Sequence, residues 1–338
     1  ARSHLPGRDG EPCPTVRGPP VEIADARPRP AIPKTATHRP TKESPAALAA
    51  SAADEVTAVL HRAEGGEDLD TAGAEVLTEA AQDALRAGDN IGALRAARPA
   101  LAATPPGAAR AGLALAAGTA AYHETYAGLA ATLLHEAVSE AADAGTRHRA
   151  LAALSLSVAA RDGSAPYALV DAALEPLGQE RPAEAASLAC LVARIAADSA
   201  QIELARAYLS RAEDLAAAAG VDPVDGASDP ARHRLRTELD HTRSWIGTTR
   251  PSGPGAIEHL STVTASHPSE DLTGWDLVVR QVTLLTRAED WQQARFALAE
   301  VERRQRGLSS PMVAAATAVA ALELHLAVGA VQDAQDIV

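Results

Sequence analysis

The stretch RAGDNIGALRAARPA, residues 86–100, sets the reading of the whole chain. A turn, Gly88-Asp89-Asn90, is followed by Ala93, Ala97 and Ala100. That i, i+4, i+7 spacing places three small side chains on one stripe of a helix. The same order of turn and stripe recurs along the chain. His123-Glu124-Thr125 precedes Ala130, Leu134 and Ala137; Asp162-Gly163 precedes Ala168 and Ala172, with Glu175 interrupting the third place. Ser199-Ala200-Gln201 precedes Ala205, Leu209 and Ala212, and the Pro251–Gly255 loop precedes Ala256, Leu260 and Val263. Glu289-Asp290 precedes Ala294, Leu298 and Val301, and Gly329 precedes Ala334 and Val338. Between turns there is room for two helices, such as 107–122 and 126–144, or 275–288 and 291–306.

This spacing is close to the tetratricopeptide period of about 34 residues with loops added. Each pair carries an apolar face that it cannot bury alone, so neighbouring pairs must stack. The expected fold is all-α: a TPR-like α-solenoid of antiparallel helix pairs over residues 46–338, with a softer boundary at 220–229. Composition agrees. The chain has 1 Phe, 4 Tyr, 3 Trp and 1 Met in 338 residues, and its interior must therefore be built from Ala, Leu and Val. Alanine is the best helix former, is poorly suited to strands, and lets helices approach closely. Residues 1–45 hold ten prolines and little apolar periodicity. They read as a disordered Pro-rich tail or linker, because such a segment cannot bury enough surface to offset its ordering entropy. Ser44-Pro45 reads as an N-cap with proline at the first helical position.

Charge excludes some functions. The net charge is −13, and residues 1–44 carry eight Lys or Arg against five Asp or Glu, so the helical part is more acidic than the whole. An acidic body offers no general attraction to phosphate backbones. Arg232, Arg234 and Arg236 are followed by Glu238 and Asp240, and Arg303, Arg304 and Arg306 follow Glu300 and Glu302, so both read as solvated faces of mixed charge rather than recognition helices. Direct nucleic-acid contact is not expected. No run approaches the length of a membrane span, and no signal peptide opens the chain. The two cysteines, Cys13 and Cys190, lie too far apart in character for a disulfide framework, and a cytoplasmic location is expected.

Motifs that carry chemistry are missing. The last lysine is Lys42, which removes a Walker A loop from the helical part. There is no dinucleotide fingerprint and no nucleophile elbow. His123-Glu124 and His135-Glu136 open like a zincin motif, but Ala127 and Ser139 stand where the second histidine is required. Cys190 sits in the apolar run 185–197 and reads as a small buried hydrophobe. No catalytic, cofactor or metal residues are expected, and no cofactor. A helical enzyme would instead require at least three polar side chains converging in one pocket.

The expected binding surface is the concave face lined by the first helix of each pair. A clamp for a C-terminal carboxylate is unavailable, since Asn90 is the sole asparagine and lysine stops at Lys42. Aromatic anchors are the remaining candidates: Tyr122, Tyr126, Tyr208 and Trp245, with Trp275 and Trp291 expected to pack together in the core.

The run 74–100, with Ala80-Ala81, Arg86-Ala87-Gly88-Asp89, Ala93 and Arg95-Ala96, resembles the start of the helical-repeat region of large ATP-binding LuxR-type transcriptional regulators of high-GC actinobacteria. So do 105–121, with Arg110 and Gly118-Thr119-Ala120-Ala121, and 275–329, with Ala288-Glu289-Asp290-Trp291, Ala294 and Gly329. The resemblance covers most of residues 50–338. It implies a non-catalytic effector-sensing and protein-interaction module, the regulatory middle of such a regulator, between an ATPase and a helix-turn-helix domain. A chain starting at Ala1 and stopping within the helical segment 331–338 agrees with that expectation. The implied partner is a protein or peptide, or a small-molecule inducer, with self-association. The alternative is a free-standing TPR scaffold unrelated to transcription.

Overall fold

The structure, a computed structural model, describes residues 55–221, 229–247, 272–306 and 310–337. The chain divides into Ala1–Glu43 and Ser44–Val338, and all described residues belong to the second unit. The expectations for the Pro-rich segment 1–45, the Ser44-Pro45 cap, Ala256, Leu260 and Val263, and most of the 220–229 boundary lie outside the described residues.

The described residues form α-helices and no strand. In chain order these are α1 (Glu55–Glu64), α2 (Thr71–Arg86), α3 (Asn90–Ala103), α4 (Ala108–His123), α5 (Ala127–Glu140), α6 (Ala144–Asp162) and α7 (Tyr167–Glu180). They continue with α8 (Pro182–Asp198), α9 (Ile202–Ala218), α10 (Pro230–Gly247), α11 (Leu272–Arg287), α12 (Trp291–Gln305), α13 (Pro311–Ala327) and α14 (Val331–Gln335). No helix among the described residues is long and apolar enough to cross a membrane.

One turn geometry joins many of the helices. Gly88, Thr125, Ala200, Glu289 and Gly329 each take a left-handed φ between 58° and 77°. In each turn the next residue donates its N–H five positions back, as in Asp89 to Ala84, Tyr126 to Ala121, Gln201 to Ala196, Asp290 to Leu285 and Ala330 to His325. This bonding satisfies carbonyls that the helix end leaves open. The new helix then starts at once, and its stripe begins four residues after the cap. Ala93, Ala130, Ala205 and Ala294 are wholly buried and Ala334 nearly so. Side chains of Asp89 and Asp290 cap their helices by accepting from Gly92 N and Gln293 N.

One stripe was misplaced. Ala168 and Ala172 are exposed, and the buried residues of α7 are Val170, Ala173, Leu174 and Leu177. After Gly163 at φ 70° the chain continues through Ser164, Ala165 and Pro166 before α7 begins at Tyr167. The cap is thus Pro166, and counting four residues from it gives Val170. The rule survives and the longer turn moved its origin.

The first helices of successive pairs, α2, α4, α6, α8, α10, α11 and α13, lie side by side in that order. Within a pair the approach is close where residues are small: a Cβ added to Gly118 of α4 would fall 2.5 Å from Leu134 Cγ of α5. The row does not stay open. α13 returns to touch α4, and α11 touches α6. The interior between these helices is where the polar residues converge.

Candidate functional site

Three helices line a cavity of about 290 Å³. The C-terminal turn of α4 supplies Tyr122. Helix α11 supplies Trp275, Asp276, Val279, Arg280 and Thr283, and α13 supplies Met312, Val313, Ala316, Val319 and Ala320. On α11 the positions 276, 280 and 283 follow the helical stripe spacing, which makes that wall polar. On α13 the positions 312, 316 and 319 do the same with apolar residues. The α13 wall is thus hydrophobic along its length.

Beneath the polar wall runs a chain of ion pairs. Arg194 of α8 is 1% exposed. Its Nε donates to Asp276 Oδ2 at 3.2 Å and its Nη1 to Thr242 Oγ1 of α10 at 3.0 Å. Arg280 Nε donates to Asp276 Oδ1 at 2.7 Å. The same guanidinium grips Asp198 through Nη1 at 2.9 Å and Nη2 at 2.7 Å. Trp245 Nε1 also donates to Asp198 Oδ1, at 2.9 Å, and Arg280 lies 4.7 Å over the Trp245 ring. Three consecutive first helices, α8, α10 and α11, are therefore tied to one another. A buried pair of this kind specifies one arrangement as much as it stabilises it.

The charges are mutually satisfied. Burial opposes ionisation of Asp276, yet Arg280 and Arg194 outweigh it and hold the carboxyl below the usual carboxylate range. Burial likewise opposes the Arg280 charge, and Asp276 and Asp198 more than compensate, keeping the guanidinium firmly protonated. Tyr122 is pushed well above the ordinary phenol value by burial and by the negative charge of Asp276.

Two hydroxyls on the cavity wall are left over. Neither Tyr122 nor Thr283 has a hydrogen-bond partner among the described residues. Thr283 stands apart from its neighbours in this respect. Thr237, Thr242, Thr286 and Thr317 all donate to the carbonyl four residues back, the usual refuge of a helical threonine.

Next to the cavity-lining residues in the chain, Ser310 links the start of α13 to the end of α4. Its Oγ accepts from Val313 N at 3.2 Å, capping α13, and lies 2.8 Å from His123 Nδ1 at the end of α4. Burial depresses the His123 pKa to about 4, so the imidazole is neutral near pH 7.

Of the four aromatic anchors, Tyr122 alone lines the cavity. Tyr126 is 51% exposed at the α4–α5 turn. Tyr208 is buried, stacks on Tyr167 and donates to Asp171 Oδ1 at 2.9 Å. Trp245 is buried beneath the site, where it positions Arg280 and Asp198. Trp275 is buried in the core cluster and Trp291 packs against the same cluster. Cys190 is wholly buried, and burial, aided by Glu238, pushes its thiol up to about 12. Arg303 and Arg304 pair with Glu300. Among the described residues no three His, Cys, Asp or Glu side chains cluster to hold a metal.

Sequence reading missed Arg194, Asp276 and Arg280. One signal was present: Arg194 is the single charge within the apolar run 185–197, and a charge there must find a buried partner. Its partner, 82 residues away, has no signature of its own. Comparison with known proteins supplies no relative, since no family model, curated protein or solved structure matches the chain.

Proposed function

We propose that this chain is a non-catalytic effector-sensing and interaction module of TPR-like helix pairs, the regulatory middle segment of a LuxR-type transcriptional regulator. The recurring left-handed turn with its stripe four residues on supports a repeat array. The resemblance over residues 74–100, 105–121 and 275–329 supports the regulator. The observation that carries sensing is the cavity itself. Its walls come from helices separated by some 190 residues of chain, Tyr122 to Met312, so an occupant there joins distant pairs and biases their arrangement.

Four polar side chains, Tyr122, Asp276, Arg280 and Thr283, do converge in one pocket, which favours a catalytic reading as the second choice. Acid–base chemistry, however, works best with a group whose pKa lies near the working pH. Asp276 is displaced downward, Tyr122 and Arg280 upward. None of the three moves toward neutral pH, which supports binding.

The test compares transcripts in three strains: intact, gene deleted, and carrying Ala316→Phe, which fills the cavity. The deletion and Ala316→Phe strains are expected to lose the same set of transcripts at equal protein level. Wild-type transcripts in the Ala316→Phe strain would remove sensing from this cavity. No transcript change in the deletion strain would leave the free-standing scaffold.

A further inference from the structure

We infer that the cavity between α4, α11 and α13 takes a small uncharged molecule with an apolar body and one hydroxyl or carbonyl head. This rests on the sensing role proposed for that site and names the chemistry of what is sensed. Size comes first. At about 290 Å³ the cavity lies at the lower end of the range for ligand sites, roughly 300–1,000 Å³. A sugar chain or peptide does not fit within it.

Charge comes next. Two guanidinium groups, Arg194 and Arg280, meet two carboxylates, Asp276 and Asp198, and every contact between them is 3.2 Å or shorter. The polar wall is electrically balanced before any ligand arrives. A charged ligand would shed its water against a wall with no counter-ion to spare, at a cost that the small apolar contact area cannot offset.

The polarity of the walls then fixes the orientation. Met312, Val313, Ala316, Val319 and Ala320 offer only apolar atoms, and Met312 is the single methionine of the chain, a side chain that adapts its shape to what it meets. On the opposite wall the hydroxyls of Tyr122 and Thr283 have no partner within the described residues. Each can donate and accept, which suits a neutral alcohol or carbonyl oxygen. The apolar body lies along α13 and the head points to α4 and α11.

The single methionine also provides the readout. The ε-methyl resonance of Met312 is followed by NMR in the full chain while 1-octanol, octanoate or octylammonium is added at neutral pH. Octanol should shift the resonance saturably, with octanoate and octylammonium at least about tenfold weaker. Tyr122→Phe and Thr283→Val should each weaken octanol about two- to tenfold, the range for losing one hydrogen bond. Ala316→Phe should abolish the response. An ionic homologue that binds as tightly as octanol, and is blocked by Ala316→Phe, overturns the uncharged class while leaving a sensing cavity. Octanol binding unchanged in both hydroxyl variants overturns the assigned orientation and head. A resonance that none of the three compounds moves, or that still responds in Ala316→Phe, overturns both the ligand class and the sensing cavity.

Discussion

His123 is a neutral imidazole held at the seam where α13 meets α4. Its pKa is depressed from 6.5 to about 4 by burial, with no charged group contributing. In the unfolded chain the same imidazole takes up a proton near its ordinary value of about 6.5. Between these two values the unfolded state binds more protons than the folded one, so stability rises with pH across the window. The contribution is complete above pH 6.5, declines as pH falls and is gone near pH 4. Its full size is about 3 kcal/mol, of which about 2 kcal/mol is lost by pH 5.0. We expect urea unfolding at pH 5.0 and 7.5 to show this loss in the native chain and a smaller one in His123→Asn, which keeps a polar atom near Ser310. An equal pH slope in the two proteins would place the titration elsewhere. His123 was visible in the sequence only as half of a failed zincin motif. What decides its chemistry is burial at a seam whose other side, Ser310, lies 187 residues away, and no local pattern encodes a contact over that distance. Arg194 was legible as a charge in an apolar run, but its engagement of Asp276 depends on three helices meeting, which is a tertiary fact.

At the scale of the element, the turns were the readable part of the fold. A stripe that starts four residues after its cap can be counted from the letters alone, provided the cap is placed correctly. The counting failed for α7 because Asp162-Gly163 looked like the whole turn when Pro166 was its true end. The letters do not show which turns carry strain. Thr125, Ala200 and Glu289 hold left-handed φ values of 64°, 58° and 61°, where two other turns use Gly88 and Gly329. An L-residue there costs roughly 1–2 kcal/mol, part of which glycine returns in the entropy of the unfolded chain. Ala200 is exposed, so replacing it removes no packing. Ala200→Gly should therefore stabilise the protein by about 0.5–1 kcal/mol. The matched control is Ala87→Gly, exposed as well but at a right-handed φ of −78°. It should destabilise by about 0.5–1 kcal/mol, since glycine there relieves nothing. Chemical denaturation of the pair checks this, and two changes of the same sign would refute the account of the turn.

At the scale of the whole helical unit, the return of α13 to α4 is the feature that an open row of repeats does not have. In an open array each pair touches only its neighbours, and damage spreads by nearest-neighbour coupling alone. Here Val313 is buried between α11 and α13 and lines the cavity opposite Tyr122. Val313→Asp puts a carboxylate into that space, which costs a few kcal/mol unless α13 lifts away. Lifting α13 also breaks the Ser310–His123 contact and uncovers the end of α4. Amide exchange should then accelerate in α11, α13 and α14 and also in α4. Helices α2 and α3 should keep their protection, because they lie beyond the seam and bury Leu77, Ala81, Ala93 and Ala97 among themselves and α4. A purely sequential array predicts a different pattern, with acceleration fading from α13 back through α12 and α11 and no change in α4. Segment-resolved hydrogen exchange distinguishes the two, since α4 and α11 are separated by more than 140 residues of chain. If α4 exchanges as it does in the unaltered protein, the seam carries no coupling, and an occupant of the cavity would have no means of linking the two ends of the circuit.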